Sequence, residues 1–135
     1  MMLAVLFVTH YVADFLLQSR DMGKKKSSEP RYLFAHLFIQ FMLFWPVAGF
    51  KFALMNAAIH GVIDWNIWRG YKYYAYKRIA AEAAKFNLSG DDRAKWIAES
   101  GKNWQYWEDH WFYSTIGFDQ LLHALTITFL AGWLL

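Results

Sequence analysis

At 135 residues, with 57% hydrophobic and 21% aromatic side chains, the chain is far more apolar than an ordinary soluble domain of its length. It contains no cysteine, which excludes disulfide frameworks, thiolate metal sites and cysteine nucleophiles, so any metal must be held by nitrogen and oxygen. The net charge of +3, with no nucleic-acid-binding motif beside it, points to anionic headgroups and argues against nucleic acid.

The length fits one domain over 1–135, and the apolar pattern predicts an all-α integral membrane protein with four transmembrane helices in a bundle. The first predicted span covers about 1–18, centred on VLFVTHYVADFLLQ. Its basic residues, Arg20 and Lys24 to Lys26, follow the apolar run, so it reads as a retained span and not a signal peptide. In the polar linker the Lys24 to Lys26 run reads as a topology signal, Pro30 suits a first helical position, and Ser28 or Glu29 is a candidate cap. The second span is expected over about 32–50, with Pro46 bending its far end and Gly49 making a tight turn. The third, about 52–69, repeats small residues at Ala53, Ala57 and Gly61, the spacing that lets membrane helices approach closely.

Residues 70–113 form a predicted cytoplasmic interfacial insert, helical and aromatic. An amphipathic helix is expected at 73–87 and a second at 91–100, capped by Ser89. In the aromatic run that follows, Trp104, Trp107, Trp111 and Tyr113 suit the headgroup layer. Glu108, Asp109 and His110 read as a solvated charge cluster there. The fourth span is expected at about 116–135. Basic residues crowd into the linker after span one and the insert after span three, with only Lys51 between spans two and three. The positive-inside rule then makes both basic loops cytoplasmic and both termini external, in a multi-pass protein of the bacterial inner membrane.

Each of three spans carries a histidine and an aspartate four residues apart: His10 with Asp14, His60 with Asp64, and Asp119 with His123. Four residues is about one turn, so each pair shares a helix face. With His36 they converge on one depth, because Asp14, His36, Asp64 and Asp119 each fall about four residues from the cytoplasmic end of their span. His10, His60 and His123 lie one turn deeper, and Gln18, Gln40 and Asn56 extend the same polar stripes. A single pair is most simply a hydrogen-bonded couple that fixes packing. Three central aspartates, at about 2.5 to 3.5 kcal/mol each, carry a penalty of roughly 8 to 10 kcal/mol unless something offsets it.

A divalent cation would do so, and His10, Asp14, His36, His60, Asp64, Asp119 and His123 are enough for one or two ions. Mixed imidazole and carboxylate ligands suit zinc first, then manganese or iron. The expected activity is metal-dependent hydrolysis of a phospholipid or other amphiphilic phosphoester at the cytoplasmic face, with Asp14 or Asp119 as general base. Two other readings stand beside it: a non-catalytic assembly or exclusion factor, whose aromatic insert binds a protein partner or a second copy, and a proton or ion relay. The apolar outer halves VLFV, FMLFW and TITFLAGW disfavour a monomeric pore. Gly-x-Ser-x-Gly and His-Glu-x-x-His motifs are absent.

The segments HYVADFLLQ, AHLF around His36, HGVIDW and DQLLH together resemble small bacterial and phage membrane proteins grouped as domain of unknown function 3307. The resemblance implies a four-helix membrane protein with Asp14, Gln18, His36, His60, Asp64, Asp119, Gln120 and His123, together with His10, as signature positions, and it implies no activity. A looser likeness to inner-membrane metal-dependent hydrolases is an analogy.

Overall fold

The computed structural model describes residues 1–103 and 108–135, and these are mostly helical, with no strand among them. Helix α1 (Met2–Tyr11) widens into a π-helical turn, Val12–Leu16, where the Leu17 N–H donates to the Val12 carbonyl five residues back. Such turns recur at functional positions because they re-aim side chains, and Asp14 sits on this one. Ser19 then caps the short α2 (Arg20–Lys25), its side chain accepting from the Met22 N–H at 3.2 Å.

Helix α3 (Pro30–Lys85) starts at Pro30 as expected and is broken at Gly49, whose φ of 83° and ψ of 164° lie where side chains are not tolerated. Its limbs, 30–48 and 50–85, fold back as a hairpin, and the facing pairs Phe44 with Phe52 and His36 with His60 are centred on the same point of the chain. Small residues allow the close approach: a Cβ at Gly61 would stand 2.7 Å from a Leu37 methyl. Helix α4 (Gly90–Lys102) packs on the distal part of α3 through Phe86 and Trp96, and α5 (His110–Leu134) closes the bundle. Near the Gly49 turn lies an apolar core of Leu6, Phe44, Phe52, Ala53, Ile127 and Leu130.

The sequence expectation is corrected in two respects. Among the described residues one helix, α3, is long and apolar enough to cross a membrane, where four were expected, and Met2–Leu16 is a shorter apolar helix. Expected spans two and three are one helical run interrupted only at Gly49, span one is cut short by the Ser19 cap, and span four carries Asp119, Gln120 and His123 in its first half. The third span also does not stop near 69. No proline or cap intervenes and Ala, Lys and Arg favour helix, so the second limb runs through the expected 73–87 helix to Lys85. Ser89 is the N-cap residue of α4, although its side chain makes no capping bond. Trp104 and Trp107 lie outside the described residues, whereas Trp111 and Tyr113 are exposed.

Candidate metal centre

The bundle brings all seven predicted ligands together and buries them, with no more than 5% of any exposed. The π turn supplies Asp14 and the end of α1 His10; the first limb of α3 supplies His36, the second His60 and Asp64, and α5 Asp119 and His123. Helical spacing alone explains each pair, but only the hairpin at Gly49 sets His36 against His60.

His60 is shared by two groups that could each hold an ion, His36 with His60 and Asp64, and His10 with Asp14 and His60. Nε2 of His36 lies 2.9 Å from Nε2 of His60, 3.2 Å from Asp14 Oδ1 and 3.4 Å from Asp64 Oδ2. Nε2 of His60 lies 3.4 Å from Asp14 Oδ1 and 3.1 Å from Asp64 Oδ2. Ligands at zinc's usual distances from a tetrahedral centre stand about 3.3 Å from one another, so the three edges among His36, His60 and Asp64 fit one face of such a site. Hydrogen bonds alone satisfy the cluster poorly. Two neutral imidazoles can present at most two protons at these nitrogens, too few for five close approaches, whereas a cation on the triad serves three of the atoms at once. The Nδ1 atoms of His36 and His60 are buried without a hydrogen-bond partner among the described residues, a departure from metal-bound histidines, whose outer nitrogen is normally held.

A second group, Asp64, Asp119 and His123, is looser. Nε2 of His123 lies 3.8 Å from Asp64 Oδ1 and 3.7 Å from Asp119 Oδ1, too far for hydrogen bonds. His60 and His123 stack with ring centroids 3.9 Å apart, and His10 stands 3.5 Å from Asp14 Oδ2. Of the predicted supporting residues, Gln40 donates to Asp14 Oδ1, and Gln120 donates to Asp14 Oδ2 and Asp119 Oδ2 at 3.3 Å. Asn56 is buried, and its Nδ2 and the Oε1 of the half-buried Gln18 have no hydrogen-bond partner among the described residues, so neither bonds to the cluster through those atoms.

Lys26 corrects its reading as a topology signal. It is 4% exposed and its ammonium sits 2.8 Å from Asp64 Oδ1, inside the charged cluster. Met22 and Lys26, one turn apart at α2 and its C-cap, are both buried.

The charge cluster before α5 is corrected too. Glu108 and His110 are exposed, but Asp109 is buried, accepts from Tyr71 at 2.8 Å and from both terminal nitrogens of Arg78, and caps α5 at Trp111. The Arg78 guanidinium holds its carboxyl down at about 2. A depressed carboxyl stabilises the fold fully above its unfolded value near 4, and that stability is lost as pH falls through about 2. Asp109→Ala should therefore lower the melting temperature at pH 7, costing about 1 to 2 kcal/mol, and the gap from wild type should close in acid. Thermal melts of the detergent-solubilised protein at both pH values check this.

No curated protein and no solved structure matches this chain. The model of one family, described as Protein of unknown function (DUF3307), matches residues 2–134. The buried histidines and aspartates of this bundle are thus carried on a chain that belongs, over essentially its whole length, to the DUF3307 family.

Proposed function

We propose that the protein is a four-span protein of the bacterial cytoplasmic membrane that holds one or two divalent cations, zinc first, and hydrolyses an amphiphilic phosphoester at the cytoplasmic face. The single observation that carries the reading is the buried triad of His36, His60 and Asp64, whose ligand atoms stand 2.9 to 3.4 Å apart, with Asp14 Oδ1 beside both imidazoles. Support for the membrane setting comes from an inside-out distribution. Phe34, Phe38, Leu54, Val62, Leu125 and Phe129 are each more than half exposed, while the histidines and aspartates fill the interior. In this topology the linker with α2 and the segment with α4 lie inside, against anionic headgroups, and both termini lie outside.

A bound divalent ion supplies a Lewis acid and an acidified water. The chain's own residues divide the remaining work. Asp14 has both oxygens engaged, by Gln40 and His36 on one side and by Gln120 on the other, which suits a ligand. Asp119 lines the cavity beside the cluster, and its Oδ1 accepts no hydrogen bond among the described residues, which suits a general base. The test is turnover of a short-chain fluorogenic phosphodiester in mixed micelles. Chelator should abolish it, and Asp119→Asn should lower kcat by about 100-fold or more. Turnover that survives both would end the hydrolase reading.

One observation favours a second, non-catalytic reading. Lys26 already balances part of the buried negative charge, as a structural core in an assembly or exclusion factor would require. Such a factor would meet a protein partner or a second copy through its aromatic insert. A proton relay is less well supported, because the apolar core of Leu6, Phe44, Phe52, Ile127 and Leu130 lies between the cluster and the Gly49 turn.

A further inference from the structure

Beside the metal cluster a cavity of about 720 Å³ opens between the end of α1, α2, the second limb of α3 and the start of α5. Its walls are of two kinds. Arg20, Lys24, Lys26 and Lys72 make one side basic, whereas the acids in the lining, Asp14 and Asp119, belong to the cluster at its floor. Phe15, Trp68, Phe112 and Ile116 make the other side apolar, and Phe15 is half exposed, joining the cavity to the greasy outer surface of α1.

Two donors here are incompletely used. The Lys72 ammonium donates to the Lys24 carbonyl at 3.1 Å, to Ser27 Oγ at 2.8 Å and to Ser28 Oγ at 3.4 Å, all neutral oxygens, and it forms no ion pair among the described residues. Trp68 lines the same cavity, and its indole Nε1 is buried with no hydrogen-bond partner among the described residues. A buried N–H without an acceptor is costly, and a cation without a counter-anion at the edge of a cavity invites one.

We propose that this cavity is a binding site for an anionic lipid phosphate. The phosphate lies against Lys72 and the Trp68 N–H, and the acyl chain runs along Phe15 and Ile116 toward the bilayer. A soluble phosphate ester would leave the apolar wall unused, and a neutral lipid would leave the basic wall without a partner. The volume is in the range of small-molecule sites, enough for a headgroup and the first part of a chain. As a substrate site this rests on the hydrolase reading, but the binding step does not require it.

The experiment is a titration of the detergent-purified chain with dioctanoyl phosphatidic acid, dioctanoylglycerol and inorganic phosphate, before and after chelator treatment. The lipid phosphate should bind about 10-fold or more tightly than the uncharged lipid or phosphate alone, with or without metal. Lys72→Gln should remove that preference and leave dioctanoylglycerol binding unchanged, and Trp68→Phe should weaken lipid phosphate binding about 3-fold or more. Equal affinity for charged and uncharged lipid, or an unaltered preference in Lys72→Gln, would overturn the proposal. Inorganic phosphate bound as tightly as the lipid phosphate would overturn its amphiphilic part. Because chelated protein is included, failure of the metal reading and failure of this site give different results.

Discussion

Lys26→Met should be the most destabilising lysine substitution in the protein when metal is removed, costing about 3 to 5 kcal/mol. The pair it breaks is fully enclosed: the side chains of Lys26 and Asp64 are 5% and 0% exposed, with 2.8 Å between ammonium and carboxylate. Methionine fills similar volume but leaves Asp64 with an uncompensated buried charge. The neighbouring Lys25→Met removes a half-exposed contact with Glu29 at 3.9 Å and a place over the Tyr32 ring, for which about 1 kcal/mol or less is expected. Adding zinc should restore most of the loss in Lys26→Met, since a cation bound through Asp64 Oδ2 supplies the missing charge. Thermal melts with chelator and with zinc check both halves. A Lys26 variant no less stable than the Lys25 variant would show that Asp64 is neutral in the folded state.

His60→Ala and Asp119→Ala should separate the two groups of ligands. His60 belongs to both clusters that include Asp14 or His36, whereas Asp119 belongs only to the one it shares with Asp64 and His123. Removing His60 takes a ligand from both of its groups and should weaken metal binding by more than about 100-fold, beyond the usual effect of altering a ligand's supporting hydrogen bond. Removing Asp119 leaves both of those groups in place, so one tightly held ion should remain.

Much of this site is legible in the sequence because helices impose a period. His10 with Asp14, His60 with Asp64 and Asp119 with His123 announce shared faces through spacing alone, and Gly49 with Pro46 marks the place where the chain turns back. Neither the length of α3 nor the role of Lys26 can be read the same way. A helix stops where something stops it, and after Arg69 a polar but helix-favouring stretch lets it continue to Lys85. Lys26 stands among three consecutive lysines that differ only in which way α2 turns them. Ser19 fixes that rotation by starting the helix where it does, which sends Lys26 to Asp64 and leaves Lys24 exposed and Lys25 partly so. Asp109 is comparable: its neighbours Glu108 and His110 are exposed, and only the approach of Arg78 from the extended α3 makes it a clamp.

The geometry also refines the expected chemistry. Seven ionisable groups at one depth suggest ions without saying which atoms share one. The hairpin and the π turn select four of them, and Asp64 faces this set with one oxygen and Lys26 with the other. Of the remaining groups, Asp119 and His123 gather around Asp64, with Asp119 on the cavity wall.

Elemental mass spectrometry of the detergent-purified protein, prepared without chelators and shown to be folded, tests the central claim most directly. Wild type should carry at least one equivalent of zinc, manganese or iron, Asp119→Ala should keep one, and folded His60→Ala should carry none. Folded wild type without metal, or His60→Ala with an undiminished content, would contradict the metal centre and leave a hydrogen-bonded polar core in its place.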